Sequence, residues 1–137
     1  MILSVLLSKI AKAKKIKHEY EDFASIMLGY KNDRVAIILS NWVTPKKLRK
    51  FNAVCTDAII SSDSITQETI IEKQDETEII QNKKQEPLQL EIQNFLGAIE
   101  GRNEHIIKSN EAVNVIKIAE AALLSSQKGI PIYLDLK

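Results

Sequence analysis

The sequence predicts an α+β fold, a mostly antiparallel sheet of about six strands with two C-terminal helices packed on one face. Three observations carry that expectation. Apolar residues between Ala24 and Ile80 come in short runs bounded by turn residues, while those of the last third recur at helical spacing. Isoleucine supplies 21 of the 137 residues, and its branched side chain suits a pleated surface better than a helix. Strands, then two helices, then a strand is an order that layers helices on a sheet.

The first segment, Val5 to Ile16, fits either a strand or a short helix and stays open on pattern alone. Ala24 to Tyr30 and Val35 to Ser40 are apolar runs separated by Lys31-Asn32-Asp33-Arg34, a hairpin whose Asn and Asp tolerate left-handed backbone angles. Thr44-Pro45 then breaks the chain, because proline lacks an amide donor and pushes its predecessor away from helix. Leu48 to Thr56, Ala58 to Ser62, Gln67 to Lys73 and Glu76 to Gln81 follow as strands rich in Ile, Val and Thr. Asn82 to Glu86 is a polar connection.

Pro87 can open a helix without losing a hydrogen bond, and Leu88, Ile92, Phe95, Leu96 and Ile99 fall on one face of it, with Gly101 at its end. A second helix starts near Ser109 or Asn110, whose short side chains suit capping, and Glu111 meets the positive end of the dipole. Ala112, Val115, Ile116, Ala119 and Leu123 form its expected buried stripe, and Lys128-Gly129 closes it. Ile130 to Leu136 alternates as a final strand.

A hydrophobic content of 45% and a charged content of 27% fit one globular domain over residues 1–137 and exclude a disordered chain. No apolar run approaches the ~18 residues of a membrane-spanning helix. The opening Met1 to Leu7 has neither a basic flank nor a cleavage pattern, so no secretory signal is expected. Cys55 alone supports neither an internal disulfide nor a cysteine zinc site, and a reducing, cytoplasmic setting is the expectation. Residues 1–50 carry 11 basic and 4 acidic side chains, against 8 and 14 in residues 51–137. The basic residues are mostly Lys, with only three Arg in the whole chain and few aromatics among them, poor material for reading or stacking on nucleic acid. A solvated face is the better reading.

The search for chemistry is mostly empty. Four glycines, at 29, 97, 101 and 129, build no phosphate loop. His18 and His105 stand at no ligand spacing from a second strong ligand. His18-Glu19-Tyr20-Glu21-Asp22 is the one close grouping of a base with carboxylates, and with no nucleophile or metal ligand beside it a polar entry to the next strand is the preferred reading. Cys55, with no adjoining cation, reads as a small buried hydrophobe. One segment stands out, Asn41-Trp42-Val43-Thr44-Pro45-Lys46-Lys47-Leu48-Arg49-Lys50, which places the only Trp and four cations around a rigid turn. It could hold a phosphate or carboxylate, Arg offering a fork and Lys a point charge. It could equally be an anchoring Trp beside a lysine-rich loop that resists edge-to-edge aggregation.

The ordered set of pieces resembles the C-terminal domain of the Gfo/Idh/MocA oxidoreductases, the family of glucose–fructose oxidoreductase and inositol dehydrogenase. The matching stretches are His18 to Ala24, Ser40 to Arg49, Cys55-Thr56-Asp57-Ala58-Ile59-Ile60, Glu86-Pro87-Leu88, and Asn110 to Ala122 with Ser125, Gly129 and Pro131. They cover roughly residues 15–137, and the order persuades where no single motif is diagnostic. Cys55 and Ala58 fall where relatives often carry glycine, and Asn32-Asp33 replaces a commoner Asn-Gly turn.

The resemblance implies the sheet-and-helix C-terminal fold of glyceraldehyde-3-phosphate dehydrogenase type. Full-length members join it to an N-terminal Rossmann domain that holds NAD or NADP and a Glu-Lys-Pro segment with its catalytic lysine, and carry a His/Asp motif on the first helix of the C-terminal half. None of these occurs in the 137 residues, so the expectation is a truncated form with no catalytic, cofactor-binding or metal-binding residue of its own. By the same resemblance Trp42, Lys47 and Arg49 face a sugar or nucleotide-sugar substrate. The expected partner is a second copy, giving a homodimer through the open sheet face, or a separate Rossmann-domain chain. A stand-alone oligomeric module binding carbohydrate or a phosphorylated ligand is the alternative.

Overall fold

The computed structural model describes residues 19–102 and 107–136, and the backbone of 2–6. The order is β1 (Ile2–Leu6), β2 (Phe23–Tyr30), β3 (Val35–Asn41), β4 (Lys50–Val54), β5 (Ile59–Asp63), β6 (Glu68–Glu72), β7 (Thr77–Gln81), α1 (Pro87–Ile99), α2 (Ser109–Lys128) and β8 (Ile132–Asp135). The α+β class and the antiparallel pairing are as expected. The single sheet of about six strands is not. Eight strands form two four-stranded sheets, ordered β3-β2-β1-β8 and β4-β5-β6-β7. The break lies where Thr44-Pro45 stands, a signal the sequence carries but which reads there as a turn within one sheet. The Asn41 side chain accepts the amides of Val43 (3.1 Å) and Thr44 (2.9 Å), which turns the chain out of β3 before Pro45 ends the ladder. No helix among the described residues is long and apolar enough to cross a membrane.

The chain divides into two compact units, residues 1–44 with 106–137 and residues 45–105. In the first, β2 and β3 form the expected hairpin. Asp33 takes φ 60°, the left-handed angle its side chain tolerates, and the Tyr30 amide donates to the Arg34 carbonyl across the turn. β1 covers Ile2–Leu6, so only Val5 and Leu6 of the open segment Val5 to Ile16 are seen as strand; residues 7–18, His18 included, lie outside the described residues. It pairs with β2 on one side and β8 on the other, both antiparallel.

Register separates the two faces of this sheet. Leu28 opposes Ala36 and Ile26 opposes Ile38, so these residues share a face, and α2 packs there, over β1 and β8. The core is small: Leu28, Ala121, Ala122 and Leu136 are buried, with Ile26, Tyr30, Ala36, Ile118, Ile132 and Leu134 packed around them. The other face carries Val35, Ile37, Leu39 and Tyr133, all exposed, Ile37 at 65%.

The expected buried stripe of α2 is corrected. Val115, Ile116 and Leu123 are exposed and Ala112 and Ala119 with them, while Ile118, Ala121, Ala122 and Ser125 turn inward. Both sets repeat at helical spacing, so period alone does not choose between them. The observed set is the smaller one, and small side chains let the helix axis approach the sheet. Ser125 then donates to the Ile130 carbonyl at 2.6 Å, tying the helix end to the strand that follows. Gly129 takes φ 67° and closes the helix as expected. The helix starts at Ser109 as expected, but the cap is corrected: the N-cap is Lys108, and the Glu111 carboxylate accepts the Lys108 amide at 2.9 Å, so Ser109 and Asn110 belong to the first turn.

In the second unit β4 to β7 form an antiparallel meander with short four-residue connections. Ser62 and Thr69 oppose each other and their hydroxyls share a hydrogen bond of 3.1 Å. Cys55 is exposed in the β4–β5 loop rather than buried, because the strand ends at Val54 and the Cys55 amide is used to close the turn onto the Ala58 carbonyl. α1 runs from Pro87 with Gly101 just past its end, as the sequence predicts. Its apolar face is exposed among the described residues: Leu88, Ile92, Phe95, Leu96 and Ile99 are all exposed, and Gly97 is its buried residue. The expected packing of both helices on one sheet face therefore holds for α2 only.

Candidate functional site

The second unit holds an open cleft of about 830 Å³ where three connections converge. The segment leading into β4 contributes Lys47 and Arg49, the β5–β6 turn contributes Ser64, Ile65 and Gln67, and the β7–α1 linker contributes Lys84, Gln85 and Glu86 ahead of the first turn of α1. A volume of this size lies within the roughly 300–1,000 Å³ of small-molecule sites.

Each wall has a local cause. The Asp63 carboxylate accepts the amides of Ile65 (2.8 Å) and Thr66 (3.3 Å), which curls the chain back after β5. Those amides, the Ile65 amide above all, hold the Asp63 carboxyl below its usual range; desolvation opposes them, and the Lys50 ammonium opposite in the ladder, at 3.6 Å, adds to them. The Ser64 amide donates to the Arg49 carbonyl at 2.9 Å, which fixes the backbone of the Arg49 segment against the turn. Gln67 takes φ 60°, costly for a residue with a side chain. Its amide group meets the backbone of Gln85 twice: the side-chain nitrogen donates to the Gln85 carbonyl at 2.7 Å, and the Gln85 amide donates to the side-chain oxygen at 2.9 Å. The Gln67 side chain thus stands in for a strand edge and pins the linker that carries Lys84.

The polar groups of the cleft are mixed in sign. Lys47, Arg49 and Lys84 line it with Glu86 and Glu91, yet none of the three cations forms an ion pair among the described residues. Glu86 caps α1 with no side-chain hydrogen bond, and Pro87 follows at the first helical position. Such a lining accepts an anion through the cations and hydroxyl hydrogens through the carboxylates.

The three residues singled out by the sequence divide between the units. Lys47 and Arg49 lie together in this cleft. Trp42 belongs to the first unit, 83% exposed, where its backbone amide donates to the buried Asp22 carbonyl at 2.9 Å and its side chain borders a hollow of about 320 Å³ with Tyr20 and Glu21. Glu19, Tyr20 and Glu21 are exposed ahead of β2, and no cluster of three metal-ligating side chains occurs among the described residues. His105, like His18, lies outside them. Lys84, Gln67 and Gln85 were not anticipated: a polar linker and a turn glutamine carry no periodic signal, and only the chain's return past β5 brings them to Arg49.

No family model matches the chain, and no curated protein matches it in sequence. Solved structures do. A protein of Thermotoga maritima assigned as an oxidoreductase superposes with a TM-score of 0.79 at 16% identity, over 98% of this chain and 41% of that one. A protein of Desulfitobacterium hafniense assigned as an NADPH-dependent oxidoreductase gives 0.74 at 15% identity, over 96% and 42%. A UDP-N-acetylglucosamine 3-dehydrogenase of Acidithiobacillus ferrooxidans gives 0.65 at 19% identity, over 95% and 39%. At these identities the matches show the fold, and this chain spans about two-fifths of the length of each structure.

Proposed function

We propose that this chain is the substrate-binding and oligomerisation part of an NAD(P)-dependent sugar or nucleotide-sugar oxidoreductase of the Gfo/Idh/MocA type. One observation carries the reading: almost the whole chain, 98%, superposes on part of an oxidoreductase-assigned structure, 41% of its length. The 137 residues contain no Gly-rich dinucleotide loop, so hydride chemistry belongs to a cofactor domain outside them. What these residues supply is a surface that positions substrate and a surface that assembles. Lys47 and Arg49, in no ion pair among the described residues, are the substrate-facing cations, and Trp42 offers an exposed aromatic face in the other unit. The face of the β3-β2-β1-β8 sheet that exposes Val35, Ile37, Leu39 and Tyr133 is the assembly surface, taken by a second copy in a cytoplasmic homodimer.

The substrate surface is tested by titrating the chain with UDP-N-acetylglucosamine. The double variant Lys47→Ala/Arg49→Ala is expected to bind at least about tenfold more weakly than wild type, the scale of one charge-assisted contact. Equal affinities would remove these residues from the site.

A further inference from the structure

The β7–α1 linker places a third cation, Lys84, in the cleft with Lys47 and Arg49, and two carboxylates, Glu86 and Glu91, in the same lining. From this arrangement we infer that the cleft takes a phosphorylated sugar, the three cations holding the phosphate and the carboxylates accepting the sugar hydroxyls. The inference rests on the reading of Lys47 and Arg49 as substrate-facing and narrows it to a substrate class.

Three features support it. Like charges gathered in one concavity repel, and none of these three is neutralised by an ion pair among the described residues although carboxylates line the same walls. A phosphate monoester, with nearly two negative charges and three acceptor oxygens, matches three cations better than a carboxylate does. Lys84 is also not on a free-swinging loop: the next residue, Gln85, is held at both its amide and its carbonyl by Gln67. The carboxylates set the other half of the chemistry, since acceptor-only groups in an anion site are unfavourable unless the ligand brings donors, and sugar hydroxyls are donors. The cleft, about 830 Å³, has room for both halves.

The test is calorimetric titration of the whole chain with glucose 1-phosphate, glucose and inorganic phosphate, using wild type, Lys84→Ala and Glu91→Gln. Glucose 1-phosphate is expected to bind at least about tenfold more tightly than either fragment. Lys84→Ala weakens glucose 1-phosphate by about tenfold, and Glu91→Gln removes most of its advantage over inorganic phosphate. Thermal melts of both variants within a few degrees of wild type confirm that the exposed substitutions leave the fold intact. Glucose 1-phosphate binding no tighter than inorganic phosphate would overturn the inference, as would an unchanged affinity in Lys84→Ala. If Lys84→Ala changes nothing while Lys47→Ala/Arg49→Ala still weakens UDP-N-acetylglucosamine, the phosphosugar inference fails and the proposed substrate surface stands.

Discussion

Leu28→Ala is expected to destabilise the first unit by about 2–5 kcal/mol, read as a lowered urea midpoint with an unchanged slope. Leu28 is 4% exposed on β2 and packs among Ala121, Ala122 and Leu136. Its neighbours on α2 are already as small as side chains can be while still filling space, so they cannot expand into the vacancy. The helix would have to move toward the sheet, and Ser125 bonded to the Ile130 carbonyl restrains that end. The cavity term therefore adds to the lost transfer energy. Ile116→Ala is the matched control. It removes an aliphatic side chain of similar size from the outer face of the same helix, 61% exposed, and is expected to change stability by under about 1 kcal/mol. Similar losses in the two variants would show that the phase of α2 is the one read from the sequence rather than the one in the structure.

Ile37→Lys is expected to convert the proposed homodimer to a monomer, raising its dissociation constant at least about a hundredfold. Ile37 lies at the middle of β3 with Val35 and Leu39 on the same face, and register brings Met27 opposite it and Tyr133 along the same surface. An apolar patch beyond a few hundred Å² seldom stays open to water, about the size at which monomers bury it in a partner. A two-fold interface uses this patch twice, so one substitution places two ammonium groups among the apolar side chains of Val35, Ile37 and Leu39. On a solvated face the same change is almost neutral, because Ile37 is already 65% exposed in the single chain. Sedimentation of wild type and variant at micromolar concentration separates the outcomes. Identical masses for the two would show that this face is not the contact.

Much of the fold was legible because its signals are local. The Asn32-Asp33 turn, the run of short Ile-rich strands, Pro87 at a helix start and Gly129 at a helix end each act within a few residues, and all stand where the pattern puts them. What failed needed tertiary information. The face of α2 that turns inward is chosen by how closely Ala121 and Ala122 let the helix approach, a quantity absent from a period that Val115 and Ile116 satisfy equally well. The division into two sheets at Thr44-Pro45 depends on which edges remain unpaired, and a turn signal is silent on that. Cys55 was expected inside because cysteine usually is, but a strand that ends one residue earlier leaves it in a loop. Half of the candidate site was visible, since Lys47 and Arg49 sit in a cation-rich turn beside a proline. Lys84 and the Gln67–Gln85 clamp were not, because 18 residues separate the clamp's partners and neither segment has a period.

In the proposed division of labour these residues bind substrate and assemble, and the dinucleotide is held elsewhere. Calorimetric titration of the chain with NADH and NADPH at about 0.15 M salt, where screening weakens loose attraction of phosphates to Lys47, Arg49 and Lys84, tests it most directly. No saturable binding is the expected result. Stoichiometric binding of either nucleotide with a dissociation constant in the low micromolar range or below would place a cofactor site within these 137 residues and contradict the account.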